Sequence, residues 1–307
     1  MGSVRIYFAI VLLFLGPPLV YGRNGLDCEP LDAPQEGPIP SVSYGRGLLF
    51  KVYKGGGAPS HVFGTIHVGD ERVTQLPAAV SAALKQSRQF VMEVALDGNG
   101  MLGFLDRMFY QDGKRLVDQI GPEMFSKTAL LLSRHGLPEE FANQMKPWAA
   151  YMMLTLPPGD NSAPLDLVLM QQAAEQNIPV NGLETMEEQA EVFDALKPAD
   201  QVALLKDTVC HYETVQRELS ELVAHYLDRD LAWVMAQARR YQKRGEGAYT
   251  RFMDELLWMR NQRMVDRMLP KLKEGQAFIA IGALHLPGSR GVLALLEQKG
   301  YRVSVVY

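Results

Sequence analysis

Two stretches near opposite ends of the chain share one layout. Val62-Phe63-Gly64-Thr65-Ile66-His67 lies near the start, and Ile279-Ala280-Ile281-Gly282-Ala283-Leu284-His285 lies near the end. Each is an apolar, strand-like run followed by Gly-x-x-His. Between them the chain is mostly helical from Met101 to about Leu269, dominated by Leu, Met, Ala, Glu and Gln. Both ends therefore supply strands and the middle supplies helices. This predicts an α/β fold: a mixed sheet built from N- and C-terminal strands, with a large, mainly helical insertion over about 110–270.

The other elements fit that plan. Residues 48–53 are strand-like, Gly55-Gly56-Gly57 turns the chain, and residues 60–63 return, which predicts a hairpin. Residues 77–86 have helical spacing, with Pro77 suited to a first turn. Phe90-Val91-Met92-Glu93-Val94 reads as a buried strand around one carboxylate. Residues 178–183 are a strand-like interruption of the helical middle. At the C-terminus a strand at 277–281, a helix at 289–299 capped by Ser289 and a strand at 301–307 predict a βαβ unit with a parallel pair.

Before the fold comes a leader. Arg5 is the one charge ahead of Arg23, residues 6–15 are apolar, and Pro17-Pro18 breaks the run before Val20 and Gly22. That is the layout of a cleavable secretory signal over residues 1–22. The alternative, an uncleaved anchor, would need about 20 apolar residues. Residues 23–44, with Pro30, Pro34, Pro38 and Pro40, read as an extended tail, and 45–307 as the α/β domain. An exported chain, periplasmic or secreted, meets an oxidising compartment, so the two cysteines, Cys28 and Cys210, are expected to pair. Two cysteines also exclude a Cys-type zinc finger and an iron–sulfur protein. Thirty-five acidic against 31 basic residues, with no basic run, leave no footprint for nucleic acid. After signal removal no membrane span remains.

The chemistry gathers at the two motifs. Gly64 and Gly282 allow a sharp turn or close approach past each strand, which puts His67 and His285 at the carboxyl edge of the sheet, where open α/β folds bind ligands. Neutral imidazole is the commonest metal ligand among side chains. Glu93, in its apolar strand, needs a partner, and a metal or a histidine would serve. Singly, each has an ordinary reading: a satisfied loop histidine, or a glutamate paired with arginine. Other histidines carry less. His61 faces solvent in the return strand, His135 marks a helix C-terminus where a cation is favoured, and His211 and His225 lie on the solvated face of one long helix. No His-Glu-x-x-His, Gly-x-Ser-x-Gly or P-loop pattern occurs.

Phe63-Gly64-Thr65-Ile66-His67, Met92-Glu93, Lys146-Pro147-Trp148, Pro164-Leu165-Asp166, Gly182-Leu183-Glu184-Thr185 with Glu187-Glu188-Gln189 behind it, Arg260-Asn261 and Gly282-Ala283-Leu284-His285 occur in an order and spacing that resemble the TraB/PrgY/GumN family, which includes the Tiki metalloproteases. The likeness spans about residues 45–307 and is nearest the bacterial GumN-like branch. It implies a divalent-metal hydrolase, most simply a peptidase acting on a peptide or protein, with Mn, Co or Zn as the ion. It implies His67, His285 and Glu93 as the metal and catalytic set, Glu93 being either a third ligand or the general base, with Arg260 stabilising an oxyanion and Asn261 in support. Glu184 matches a family glutamate without an assigned role. The rival expectations are an envelope protein that sequesters a peptide or haem in the same cleft, or a structural partner in an envelope assembly.

Overall fold

In the computed structural model the described residues are 28, 41–94, 98–159, 162–244 and 247–307. The expected signal segment, 1–22, and most of the expected tail fall outside them. Among the described residues six strands form one mixed sheet: β1 (Leu49–Tyr53), β2 (Ser60–Thr65), β3 (Gln89–Val94), β4 (Val180–Glu184), β5 (Ala277–Gly282) and β6 (Arg302–Val305), in the order β4-β3-β5-β2-β1-β6. The first four in that order run parallel, and β1 is antiparallel to both β2 and β6.

β3 and β5 take the centre because their sequences can be covered on both faces. Every residue of Gln89–Val94 is buried, as are five of the six in β5. Such near-continuous apolar runs are what parallel strands between helical layers require. Phe278 of β5 meets Phe63 of β2 and Phe90 of β3, each at 6.0 Å between ring centroids, and so ties the three strands together. The four parallel strands place Thr65, Val94, Glu184 and Gly282 along one carboxyl edge, with Thr65 opposite Gly282 and Val94 opposite Glu184.

The helical middle has its own aromatic core. Trp148 stacks on Phe193 at 5.1 Å and takes Phe104 edge-on at 5.9 Å. Cys28 is joined to Cys210, at the end of the helix Pro198–Cys210, with Cα atoms 5.6 Å apart. Among the described residues no helix is long and apolar enough to cross a membrane.

The strand-like piece expected at 178–183 is β4, and it extends the sheet beyond β3. The structure departs from the sequence expectations in three places. β6 runs in the same direction as β5 but does not pair with it; β2 and β1 lie between them, and β6 closes the far edge against β1. The C-terminal helix is Val292–Gln298, and its cap is Gly291 rather than Ser289. A Cβ at Gly291 would stand 2.3 Å from the Leu286 carbonyl, so close backbone approach decides this helix start. Finally, the long solvated helix is two helices that meet at His211, Pro198–Cys210 and Tyr212–Leu227. The His211 side chain is 13% exposed, and His225 stacks flat on Trp233 at 3.9 Å.

Candidate functional site

The site grows from the carboxyl edge of the parallel strands. Glu93 projects from β3 and is buried. Its Oε1 accepts from the Arg260 guanidinium and, at 3.2 Å, from Gln189 Nε2; its Oε2 accepts the Gly282 N–H at 2.7 Å. Burial alone would raise this carboxyl, but Arg260, His285, His67 and the Gly282 amide outweigh it and hold Glu93 well below the usual carboxylate range. Gly282, at the end of β5, serves through its backbone: it turns the chain into the short helical turn Ala283–His285 and donates to Glu93 on the way.

Arg260 comes from the helix Arg260–Glu274, which a π-helical stretch, Asp254–Met259, leads into. Such stretches are rare and tend to occur at functional sites, because the extra residue rotates the next turn and re-aims its side chains. Four of its five N–H groups are used: Nε and Nη2 on Glu184, Nη2 also on Glu93, and Nη1 on the Leu256 carbonyl. Glu184, at the end of β4, thus has a structural explanation. Its side chain is fully buried and binds Arg260 through Oε2 and Arg263 through Oε1. Burial works against the Arg260 charge, but the two carboxylates more than offset it and raise its pKa.

The two motif histidines are both buried, and each is fixed through Nδ1. His67 Nδ1 lies 2.6 Å from Asp166 Oδ2, and Asp166 Oδ1 accepts the Thr65 hydroxyl at 2.8 Å. His285 Nδ1 lies 2.6 Å from Asn261 Oδ1, and the Asn261 amide donates to the Arg290 carbonyl at 2.9 Å. His285 Nε2 is 3.8 Å from Glu93 Oε1. His67 does not touch Glu93, but the carboxylate charge is felt at both imidazoles. Gly64 stays inside β2, where Tyr226 donates to its carbonyl at 2.8 Å.

Burial opposes protonation of His67, but Asp166, by charge and hydrogen bond, and then Glu93 raise its pKa above the ordinary value. Burial dominates at His285 and lowers it to about 4, with Arg260 adding to the effect against Glu93. His135 is likewise lowered to about 4 by burial, with its Nε2 2.8 Å from the Tyr212 hydroxyl. It is therefore a neutral, structural imidazole and not the helix-end cation that its position suggested.

The structure thus brings Glu93, Arg260, His285, Asn261, Gly282 and Glu184 into one connected network; His67 and Asp166 form a separate pair whose imidazole feels the Glu93 and Arg260 charges. The residue types suit a divalent ion at two positions. An imidazole anchored through Nδ1 by a carboxylate or amide oxygen presents Nε2 in the form that binds metals, and His67 and His285 both have this arrangement. The third expected ligand is different, since both Glu93 oxygens already hold protein donors. Among the described residues, no three His, Cys, Asp or Glu side chains form a ready-made chelate. Asp166 and Gln189 lie inside stretches that carry the family likeness, but neither had an assigned role. Their partners, His67 and Glu93, are 99 and 96 residues away in sequence.

Comparison with known proteins finds relatives that match most of this chain. "Metalloprotease TIKI2" of Danio rerio is 25% identical over 80% of this chain and 58% of its own length. "Metalloprotease TIKI homolog" of Nematostella vectensis is 24% identical over 81% of this chain and 65% of its own. The chain thus spans about three-fifths of the length of these relatives. "Uncharacterized protein YbaP" of Escherichia coli (strain K12) is 24% identical over 77% of this chain and 87% of its own length. No solved structure matches the chain. The TraB/PrgY/gumN family model matches residues 48–305, and the chain belongs to that family.

Proposed function

We propose that this protein is an exported, metal-dependent hydrolase that cleaves peptide bonds. The observation that carries the reading is the pair of buried imidazoles, each anchored through Nδ1 and each under the charge of one ionised carboxylate, Glu93. The names of the Tiki relatives support the same reaction class, and the Cys28–Cys210 disulfide supports export.

His67 and His285 would hold the ion through Nε2. A divalent ion there supplies Lewis acidity and lowers the pKa of a water. Asp166 keeps His67 oriented, and Asn261 does the same for His285. Glu93 supplies the negative charge that draws a cation to the imidazoles, and it accepts a hydrogen bond from the nucleophile. Its ion pair with Arg260 makes it a weak base, so its contribution is more electrostatic than proton-accepting. Arg260, with four N–H groups already used, acts chiefly by fixing Glu93.

Elemental analysis of the purified protein, followed by cleavage of a peptide library with Mn, Co or Zn added back, tests the reading. His67→Ala and His285→Ala should remove bound metal and turnover while the protein stays folded. Folded His67→Ala protein with full activity would refute the proposal. Bound metal with no turnover of any peptide would favour a sequestering protein instead.

A further inference from the structure

Gln189 occupies a core position of the helix Met186–Asp194, on the same buried stripe as Met186, Ala190 and Phe193. It is 2% exposed. An apolar side chain would pack there at no polar cost, so the amide calls for an explanation. Half of one is its bond to the site, because Nε2 donates to Glu93 Oε1 at 3.2 Å. The orientation of the amide follows from that neighbour. Glu93 is held ionised by Arg260, and an ionised carboxylate only accepts. The Gln189 amide nitrogen must therefore face Glu93, which leaves the carbonyl oxygen on the other arm of the amide to take a different donor. That oxygen, Oε1, is buried and has no hydrogen-bond partner among the described residues. Buried acceptors without a donor are costly and few in native structures. This one lies on a side chain that touches the central carboxylate of the site.

We propose that Gln189 Oε1 accepts a hydrogen bond from the reacting species beside Glu93, either the N–H of the substrate amide or an O–H of the attacking water. The role rests on the hydrolase reading and gives it a selectivity. An acceptor buried in a site welcomes a donor and penalises an analogue that lacks one, because the site's own polar atom is then left unpaired. If the donor is the substrate N–H, the enzyme prefers an amide to the matching ester, whose oxygen has no hydrogen to offer. If the donor is water, amide and ester gain equally.

The test uses the whole chain with Mn, Co or Zn, a matched pair of fluorogenic substrates (a peptide and its ester analogue), and Gln189→Met, which keeps the length and removes the acceptor together with the Nε2 donor to Glu93, a loss that both substrates share. Loss of one such hydrogen bond in the transition state should lower kcat by roughly 10²-fold. A loss confined to the peptide identifies the substrate N–H; an equal loss on both, with KM unchanged and a water donating to Oε1 in the crystal structure of the wild-type protein, identifies the water. Gln189→Met turning over both substrates within twofold of wild type overturns the proposal. Wild-type protein that cleaves neither substrate with any of the three metals overturns the hydrolase reading, and this role for Gln189 with it. A crystal structure of the wild-type protein needs no variant to fold: a donor from water or bound peptide on Oε1 supports the assignment, and a protein donor there overturns it whatever the activity.

Discussion

The two Gly-x-x-His motifs look interchangeable in sequence and are not so in the fold. Gly64 lies inside β2 opposite Ile281, whereas Gly282 ends β5 opposite Thr65, so the motifs sit one residue out of register across the pair. His67 is held by a carboxylate and His285 by an amide, each at 2.6 Å. The consequence is opposite charge behaviour: His67 is pushed up, and His285 is lowered to about 4. A repeated motif fixes where a side chain emerges from a sheet. The partner that reaches it from elsewhere in the chain fixes what that side chain can do.

The largest expected effect removes what the two halves share. Arg260 lies against Glu93 and Glu184, and its charge lowers both imidazoles. Arg260→Met leaves two buried carboxylates without their main partner. Breaking a buried pair in this way typically costs about 3–5 kcal/mol, read as a lower urea midpoint at unchanged slope. A loss under about 1 kcal/mol would mean that Arg263 and the Gly282 amide suffice for the carboxylates. Next comes an exchange of the two orienting groups. Asp166→Asn should weaken divalent-metal affinity by about 10- to 100-fold, the usual size for an outer-shell ligand partner, as measured by calorimetry. Asn261→Asp should raise the His285 pKa from about 4 by placing a negative charge on its Nδ1, as followed by NMR titration. If Asn261→Asp leaves the His285 pKa near 4, the orienting groups do not set the asymmetry.

The same asymmetry sets a pH profile for metal-free protein. His67 has a raised folded-state pKa, so its contribution is fully present below the ordinary histidine value and is lost as pH rises through the folded value. His285 has a lowered one, so stability falls with pH between about 6.5 and about 4, as the unfolded chain takes up a proton that the folded site refuses. His61 and His135, also lowered by burial, act in the same direction. Unfolding midpoints measured against pH should therefore show an alkaline limb that His67→Gln flattens and an acid limb that His285→Gln reduces without abolishing. If both variants change the same limb, the opposed charge states are refuted.

What the sequence made legible was local. The hairpin, the buried strand around Glu93, the paired motifs and the late β5 each announce themselves within a window of about ten residues. What it hid was pairing at a distance. Nothing near residue 301 says that β6 crosses over to β1 rather than lying against β5, because its own side chains are mostly exposed and carry little preference. Glu184, Asp166 and Gln189 reach their partners across 76, 99 and 96 residues, and no spacing rule encodes that. The break at His211 and the π-helical approach to Arg260 interrupt stretches whose own periodicity reads as smooth helix.

The smallest effects separate the two glycines. A Cβ at Gly64 would stand 2.7 Å from Leu286 Cδ1 and 3.0 Å from Ala283 Cα, the turn that carries His285. One of these neighbours is backbone, so the strand pair must shift to admit a methyl group, and overpacking of this kind costs about 1–3 kcal/mol. A Cβ at Gly282 would stand 3.3 Å from Glu93 Oε2 and from His285 Cδ2, both side-chain atoms that can give by a few tenths of an ångström. Its backbone angles, φ −50° and ψ 130°, suit any residue. Gly282→Ala should therefore cost under about 1 kcal/mol of stability, yet it presses directly on Glu93 and His285. The expected outcome is a crossed pair: Gly64→Ala lowers the thermal midpoint and leaves residual turnover per folded molecule near wild type, whereas Gly282→Ala melts almost normally and loses turnover or metal affinity. If the two alanine variants behave alike, the motifs are equivalent after all, and the different partners of His67 and His285 do not govern the site.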